Sequence, residues 1–479
     1  MATSTGSTPP AAPRGSGTGI FRRKSATIDA AAEQGEGQGL TRVIGLWQLT
    51  AIGIGAIIGA GIFSLAGTVA NETAGPAVTV SFIVAGIASA AAGLSYAEFA
   101  GMIPLSGSAY TYGYVVLGES VGWMIGWDLL LEYTAIVAVV AIAVSGYFNF
   151  LLEQLGIDLP NWMLGAPGTG DGHVVDLFAM VLCLLIAFLL TRGIRTGARI
   201  ETVLVVVKVV IVLAVIVVGA FFVKSTNLQP YFPFGWGGAF QGAALVFFAV
   251  FGYDALSTAA EESKDARRNL PKAMIYSLVI SMVLYILAAT VLTGMQKYTE
   301  IDPESAFSQA FQSVGLDWLV TVIAVGAVLG IVTVMFSFML GASRIWYAIS
   351  RDGLLPRWFA KTSRRQVPAR VTWILGGASA VLAGLLPIAE AAELTNIGIL
   401  LAFVVVCAAV IVLRYREPHL DRAFRCPGMP VVPAIGIVAS IWLVTYLQPL
   451  TWLRFLGWFA LGILVYALYG YRHSRMNRT

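Results

Sequence analysis

The stretch Ile52-Gly-Ile-Gly-Ala-Ile-Ile-Gly-Ala-Gly-Ile-Phe63 decides how the rest of this chain is read. It is apolar throughout, yet glycines stand at 53, 55, 59 and 61. Glycine is a poor helix former with little steric demand. Two readings follow for a segment lying in a membrane. Gly55 and Gly59 fit the small-xxx-small spacing that lets helices pack closely. Alternatively, Gly59-Ala60-Gly61 marks a break that frees backbone amides and carbonyls for a ligand. Taken alone, the segment favours packing.

Its surroundings establish the membrane. Charged residues make up 12% of the chain, against roughly 25% in soluble domains, and mean hydropathy is +0.80. Runs without an ionisable acid or base recur from Leu46 to Asn71, Thr73 to Ala97, Tyr133 to Leu152 and Ser225 to Tyr253. They continue from Ala273 to Gln296, Trp318 to Ser343, Val371 to Ala389 and Leu394 to Leu413. About 20 apolar residues at 1.5 Å each cross a hydrocarbon core. The alternating polarity of a membrane barrel is absent, so the spans are read as helices. The apolar runs predict twelve, near 45–70, 76–101, 119–152, 174–191, 200–223, 237–260, 271–294, 317–347, 370–387, 391–413, 430–448 and 452–471.

Basic residues test this division. With the N-terminus inside, 26 of the 30 Lys and Arg fall on the cytoplasmic side. Only Lys224, Lys297 and Arg454 fall outside, and Lys208 lies within a span. That asymmetry is what the positive-inside rule expects, and one miscounted span would have collapsed it. Residues 1–40, rich in Gly, Ser, Thr, Ala and Pro with no apolar core, read as a disordered cytoplasmic tail rather than a signal peptide. Cys183, Cys407 and Cys426 imply no disulfide framework. His173, His419 and His473 fall in loops or the tail, so no metal site or other cofactor is expected. The absence of a phosphate-cradling P-loop argues against an ATP-driven pump.

The sixth run shifts the balance on the first. Phe247-Phe248-Ala-Val-Phe-Gly252-Tyr-Asp254-Ala-Leu-Ser257-Thr258-Ala-Ala-Glu261-Glu262 interrupts an apolar helix with Gly252 and an intramembrane acid, five spans later. Glycine-interrupted helices at matching places in two halves point to a binding site between inverted repeats. Half-helix N-termini there suit a carboxylate, and freed carbonyls suit an ammonium. Lys208, within Val203-Leu-Val-Val-Val-Lys-Val-Val-Ile-Val-Leu213, is too deep to snorkel easily. Placing a lysine there costs about 2.5–3.5 kcal/mol on insertion scales. It is either a structural cation bonded permanently to backbone carbonyls or a group that acts: a proton-coupling residue, or a fixed cation replacing a sodium ion. Asp128 and Glu132, four apart, share a helix face. Glu98 and Pro104-Leu-Ser-Gly-Ser-Ala-Tyr110-Thr-Tyr112 read as a cytoplasmic hinge and loop. Glu261, Glu262 and Lys264 to Lys272 read as an exposed mixed-charge loop, and Gly353 and Pro356 end the eighth span.

Four motifs in order carry a resemblance: Gly-Ile-Gly-Ala-Ile-Ile-Gly-Ala-Gly-Ile-Phe63, the 104–112 stretch, Phe-Gly-Tyr-Asp-Ala-Leu-Ser-Thr-Ala-Ala-Glu-Glu262 and Ser-Arg-Asp-Gly-Leu-Leu-Pro356. From about Leu40 to Arg472 the chain resembles the amino acid–polyamine–organocation superfamily, most closely bacterial members of its cationic amino acid transporter family. The resemblance implies an all-α integral membrane fold of twelve transmembrane helices. They would form a LeuT-type 5+5 inverted repeat over 41–223 and 224–414, followed by two C-terminal helices within 415–479. It implies a substrate carboxylate at the amides of Gly59, Ala60 and Gly61, and an amino group at carbonyls near Ile57, Phe248 and Phe251. Lys208 matches the fifth-span lysine of proton-coupled relatives, and Glu132 and Asp254 match polar positions near the site. Ala60 departs from the Thr or Ser of close relatives.

The expected function is therefore not enzymatic. It is secondary active transport of L-amino acids across the plasma membrane, coupled to protons, with both termini cytoplasmic. Phe336-Ser-Phe338-Met339 is bulky and apolar, and Phe338 limits side-chain room, so a small neutral substrate such as alanine is favoured. The alternatives are transport or exchange of a cationic amino acid or polyamine, with Glu132 or Asp254 as anchor, and a non-transporting amino acid sensor. Amino acid, protons and membrane lipid are the expected partners, with a small single-span subunit left open and nucleic acid excluded.

Overall fold

In a computed structural model the chain is described over residues 44–103, 108–192, 198–254, 256–257, 263–303, 305–363 and 367–474. These residues are helical almost throughout, and among them the β features are isolated bridges, Ile44 to Ser263 and Leu164 to Asp176. Among the described residues, seven helical stretches are long and apolar enough to cross a membrane, and four shorter apolar helices, Leu177–Thr191, Gly235–Val250, Ala369–Leu385 and Val431–Val444, accompany them. The protein is accordingly an all-helical, multi-pass membrane protein.

The chain enters through α1 (Leu46–Ile57), which stops after 12 residues. Further helical turns carry it from Gly61 to Ala77, and α2 (Val78–Met102) returns. Residues 108–112, read above as loop, belong to a short helix, α3 (Ser108–Val116), despite the glycine and proline before it. The next helix, α4 (Glu119–Gln154), has 36 residues. At 1.5 Å per residue it is about 54 Å long, so it must tilt or project beyond a ~30 Å core. Then follow α5 (Leu177–Thr191), α6 (Ala198–Ala220) and α7 (Gly235–Val246). Helix α8 (Ala266–Met295) starts inside the stretch expected to be an exposed loop, so Arg267, Arg268 and Lys272 lie on its first turns. A second short connector, α9 (Ala306–Gln312), precedes the 35-residue α10 (Asp317–Arg351). Gly353, at φ +86°, turns the chain after it. The remainder is α11 (Ala369–Leu385), α12 (Ile388–Arg416), α13 (Val431–Val444) and α14 (Pro449–Val465).

Helix α6 shows how packing is set where composition is nearly uniform. Val203, Val206, Val207, Val210, Leu213 and Val217 are exposed, whereas Val205, Lys208, Val212 and Val215 are buried. The two stripes follow the 3.6-residue period. Lys208 is what marks the inner one, because an ammonium has partners only inside the protein.

Glu98 also lies where the hinge reading did not put it. It is inside α2 and 1% exposed. Its carboxylate accepts from Arg414 at 2.5 Å, Arg422 at 3.0 Å and the Cys426 amide at 2.7 Å. It therefore ties α2 to the end of α12 and the chain leading to α13. Pro104 to Gly107, Glu261 and Glu262 lie outside the described residues.

Candidate functional site

The glycines of the first and sixth runs interrupt helices, and the two interruptions touch. Helix α1 ends at Ile57, and Ile58 is extended at φ −73°, ψ 104°. Helix α7 tightens into one turn over Phe247–Val250, Phe251 is extended, and Gly252 sits at φ +117°. A Cβ on Gly61 would lie 2.3 Å from the Ala249 Cβ, and one on Gly252 would lie 3.0 Å from the Ala56 carbonyl. The backbones thus pass with no room for side chains between them, and glycine is required at both contacts.

A broken helix leaves carbonyls without amide partners, and in an apolar surrounding each unsatisfied group is costly. Side chains supply the missing donors. At the first break the Lys208 Nζ donates to the carbonyls of Gly55 at 3.0 Å and Ile58 at 3.1 Å. Its stem lies against Gly330, where a Cβ would come within 2.8 Å of Cγ. The Tyr285 hydroxyl donates to the Ile57 carbonyl at 2.6 Å, and Tyr147 donates to Phe63 at 2.6 Å. At the second break the Asn396 amide donates to Ala244 at 2.8 Å and Leu245 at 3.0 Å. The Ser89 hydroxyl donates to Val250 at 2.7 Å.

The expected site residues are all packed inside the molecule around these breaks. Ile57, Ala60, Phe248, Phe251 and Phe338 are buried, as are Lys208, Glu132 and Asp254. Gly59 faces Val334, and Gly61 faces Ala249. The aromatic rings form one group: Phe251 lies 5.8 Å from both Phe248 and Phe338, and Phe338 meets Tyr133 edge-on at 5.4 Å. Tyr133 in turn donates to Asp254 Oδ2 at 2.9 Å. Glu132 has Asp254 and Asp128 as its charged neighbours, and Asp128 packs on Gly398 of α12. Buried oxygens of Asp128 and Glu132 have no hydrogen-bond partner among the described residues. The three residues expected to couple protons therefore fall into two groups. Lys208 meets the first break, while Glu132 and Asp254 border the second.

Asn396, Tyr285, Ser89 and Tyr133 were not singled out from sequence. Asn396 offered the clearest signal, as a carboxamide within the ionisable-free run Leu394 to Leu413. Ser89 gives no such signal, because serine hydroxyls in membrane helices also bond to the preceding turn, and Tyr285 and Tyr133 do not stand out among the chain's 17 tyrosines.

The chain is similar in sequence to known transporters. The branched-chain amino acid permease BcaP of Bacillus subtilis is 44% identical over 463 residues, covering 96% of this chain and 99% of the permease. The methylthioribose transporter of the same organism is 43% identical over 460 residues, with the same coverage. The vacuolar cationic amino acid transporter 4 of Arabidopsis thaliana is 36% identical over 391 residues, covering 79% of this chain and 64% of that protein. The amino acid permease family model matches residues 44–465, both helix breaks included, and the chain belongs to that family, whose members are transporters in the amino acid–polyamine–organocation superfamily.

Proposed function

We propose that this amino acid permease is a proton-coupled secondary transporter of neutral L-amino acids in the plasma membrane. In this reading it has twelve spans with both termini cytoplasmic, built as inverted halves over 41–223 and 224–414, with helices 11 and 12 following. The repeated order of elements supports the inversion. Each half has a broken helix, a returning helix, a short connector and a helix of 35 or 36 residues. The connectors α3 and α9 start 198 residues apart, and so do the long helices α4 and α10.

The observation that carries the reading is the meeting of two helix breaks with a buried lysine on one of them. Amides of Gly59, Ala60 and Gly61 receive the substrate carboxylate, and carbonyls of Ile57, Phe248 and Phe251 receive its ammonium. The Ile57 carbonyl already accepts from Tyr285, which leaves its second lone pair for the substrate. Phe248, Phe251 and Phe338 offer the side chain an apolar wall. That wall suits a small neutral residue such as alanine, and the name of the Bacillus relative extends the range toward branched side chains.

Protonated, Lys208 has three donors and holds two carbonyls of the first break. Neutral, it has two donors and a lone pair, and its hold on the break weakens. Charging the lysine thereby favours one arrangement of the first helix, and a proton gradient biases the cycle through Lys208, with Glu132 and Asp254 beside the second break.

In proteoliposomes with an inward proton gradient, Lys208→Ala should lose at least tenfold of gradient-driven uptake of labelled L-alanine or L-leucine while retaining exchange. Intact gradient-driven uptake would overturn the coupling role. A second reading, transport of a cationic amino acid, is favoured by the partnerless oxygens of Asp128 and Glu132. Stronger competition by L-arginine than by L-alanine or L-leucine would establish it. Binding with neither net uptake nor exchange would identify a sensor.

A further inference from the structure

Lys208 has a counterpart that carries no charge. Asn396 lies in α12, the tenth span in the inverted-repeat reading, as Lys208 lies in the fifth. Lys208 bonds two carbonyls where α1 ends, and Asn396 bonds two carbonyls where α7 ends. Helix α7 would need amides of Phe248 and Ala249 for Ala244 and Leu245 if it ran on as an α-helix. Instead the chain tightens and turns out at Phe251, and the carboxamide supplies a donor to each carbonyl. Asn396 is fully buried, so water does not compete for these bonds.

We propose that Asn396 is a positioning residue of the substrate site: it holds the bend of the second broken helix so that the carbonyls of Phe248 and Phe251 stay aimed at the substrate ammonium. The division of labour follows from the side chains. A lysine can gain and lose a proton, so the first break is held by a clamp whose strength varies. A carboxamide does not titrate, so the second break is held by a clamp of fixed strength. Asn396 does not touch the substrate. Its effect reaches the ligand through the one turn of chain between Leu245 and Phe251. The proposal rests on the transport reading only for its second consequence below.

The test uses full-length protein with Asn396→Ala and with Asn396→Asp, which keeps the shape but lacks the amide donors. Hydrogen exchange in detergent should rise at least tenfold in peptides covering 244–252 and stay unchanged across 52–63. Lys208→Ala should give the reverse pattern. Unchanged exchange at 244–252, or loosening spread equally over both breaks, would overturn the clamp. In proteoliposomes both Asn396 variants should raise the KM for L-leucine or L-alanine at least fivefold and leave the pH profile of uptake as in the wild type. A KM within twofold of wild type despite local loosening would overturn the positioning role, because a purely structural residue would lower only the amount of folded protein. Were wild-type vesicles to take up none of the twenty amino acids, the transport reading would fail while the exchange pattern still decided the clamp.

Discussion

The first broken helix and the second reach a similar result by opposite means. In the first, Ile58 is extended at an ordinary negative φ, and neither Gly59 nor Gly61 has a positive φ. Nothing in that backbone forbids a side chain on conformational grounds, so the break is defined by what binds its carbonyls, a cation and a tyrosine hydroxyl. In the second, Gly252 stands at φ +117°, where residues other than glycine are strained by about 1–3 kcal/mol. Its carbonyls are held by uncharged donors. One break is thus imposed by its partners and can relax with them. The other is written into the backbone.

The largest consequence separates two glycines that look alike in sequence. Gly252→Ala adds conformational strain and a Cβ 3.0 Å from the Ala56 carbonyl, which is backbone and cannot yield. Uptake per folded molecule should fall at least a hundredfold. Gly59→Ala meets a Val334 methyl at 3.1 Å, a side-chain contact that relaxes by a few tenths of an ångström, and its amide remains. Initial rates within about tenfold of wild type are expected. Equal losses for the two would erase the distinction between a break imposed by partners and one written into the backbone.

Glu98 is a buried charge of a different kind from Lys208. Lys208 is met by carbonyls at a break, whereas Glu98 is met by two guanidiniums inside an unbroken helix. Glu98→Gln leaves Arg422, itself 1% exposed, without its counter-charge, and breaking such a pair costs about 3–5 kcal/mol. Cys426 reports on this region. Burial, with the Glu98 carboxylate adding to it, pushes its thiol up to about 11, so near pH 7.5 it is almost entirely protonated and labels slowly. Glu98→Gln should lower the thermal midpoint in detergent by several degrees and speed maleimide labelling of Cys426 at least tenfold. Lys208→Ala should leave that labelling rate unchanged.

What could be read from sequence follows from contrast. Gly59 to Gly61, Lys208, Gly252 and Asp254 stood out because each is costly against an apolar background, and their places near the helix breaks were legible for that reason. The limits of α4 and α10 fell within a few residues of the expected 119–152 and 317–347. The partners were not legible. Asn396 and Lys208 act across 151 and 150 residues of chain, and Glu98 meets Arg414 and Arg422 more than 300 residues away. No local pattern records such pairings. Helix α3 was missed because Pro104 and Gly107 signal a turn while the helix begins just after them, at Ser108.

The smallest effects test whether the neutral donors at the two breaks are equivalent. Tyr285→Phe removes the bond to the Ile57 carbonyl, and Ser89→Ala removes the bond to the Val250 carbonyl. A neutral hydrogen bond contributes about 1 kcal/mol net, which corresponds to roughly a fivefold change in a rate or binding constant. Ser89→Ala should stay at or below that, because Asn396 and the Gly252 conformation still hold the second bend. Tyr285→Phe should reach it, because the Tyr285 hydroxyl is itself the donor that holds the Ile57 carbonyl, and that carbonyl is one assigned to the substrate ammonium. The measurement is the KM of each variant for L-alanine and L-leucine, at one pH and again across the pH range. A Tyr285→Phe transporter that binds substrate more tightly than wild type would show that the hydroxyl competes with the ammonium for Ile57 rather than aiming its carbonyl. The Ile58 end of the first break would then be held by Lys208 without help from Tyr285.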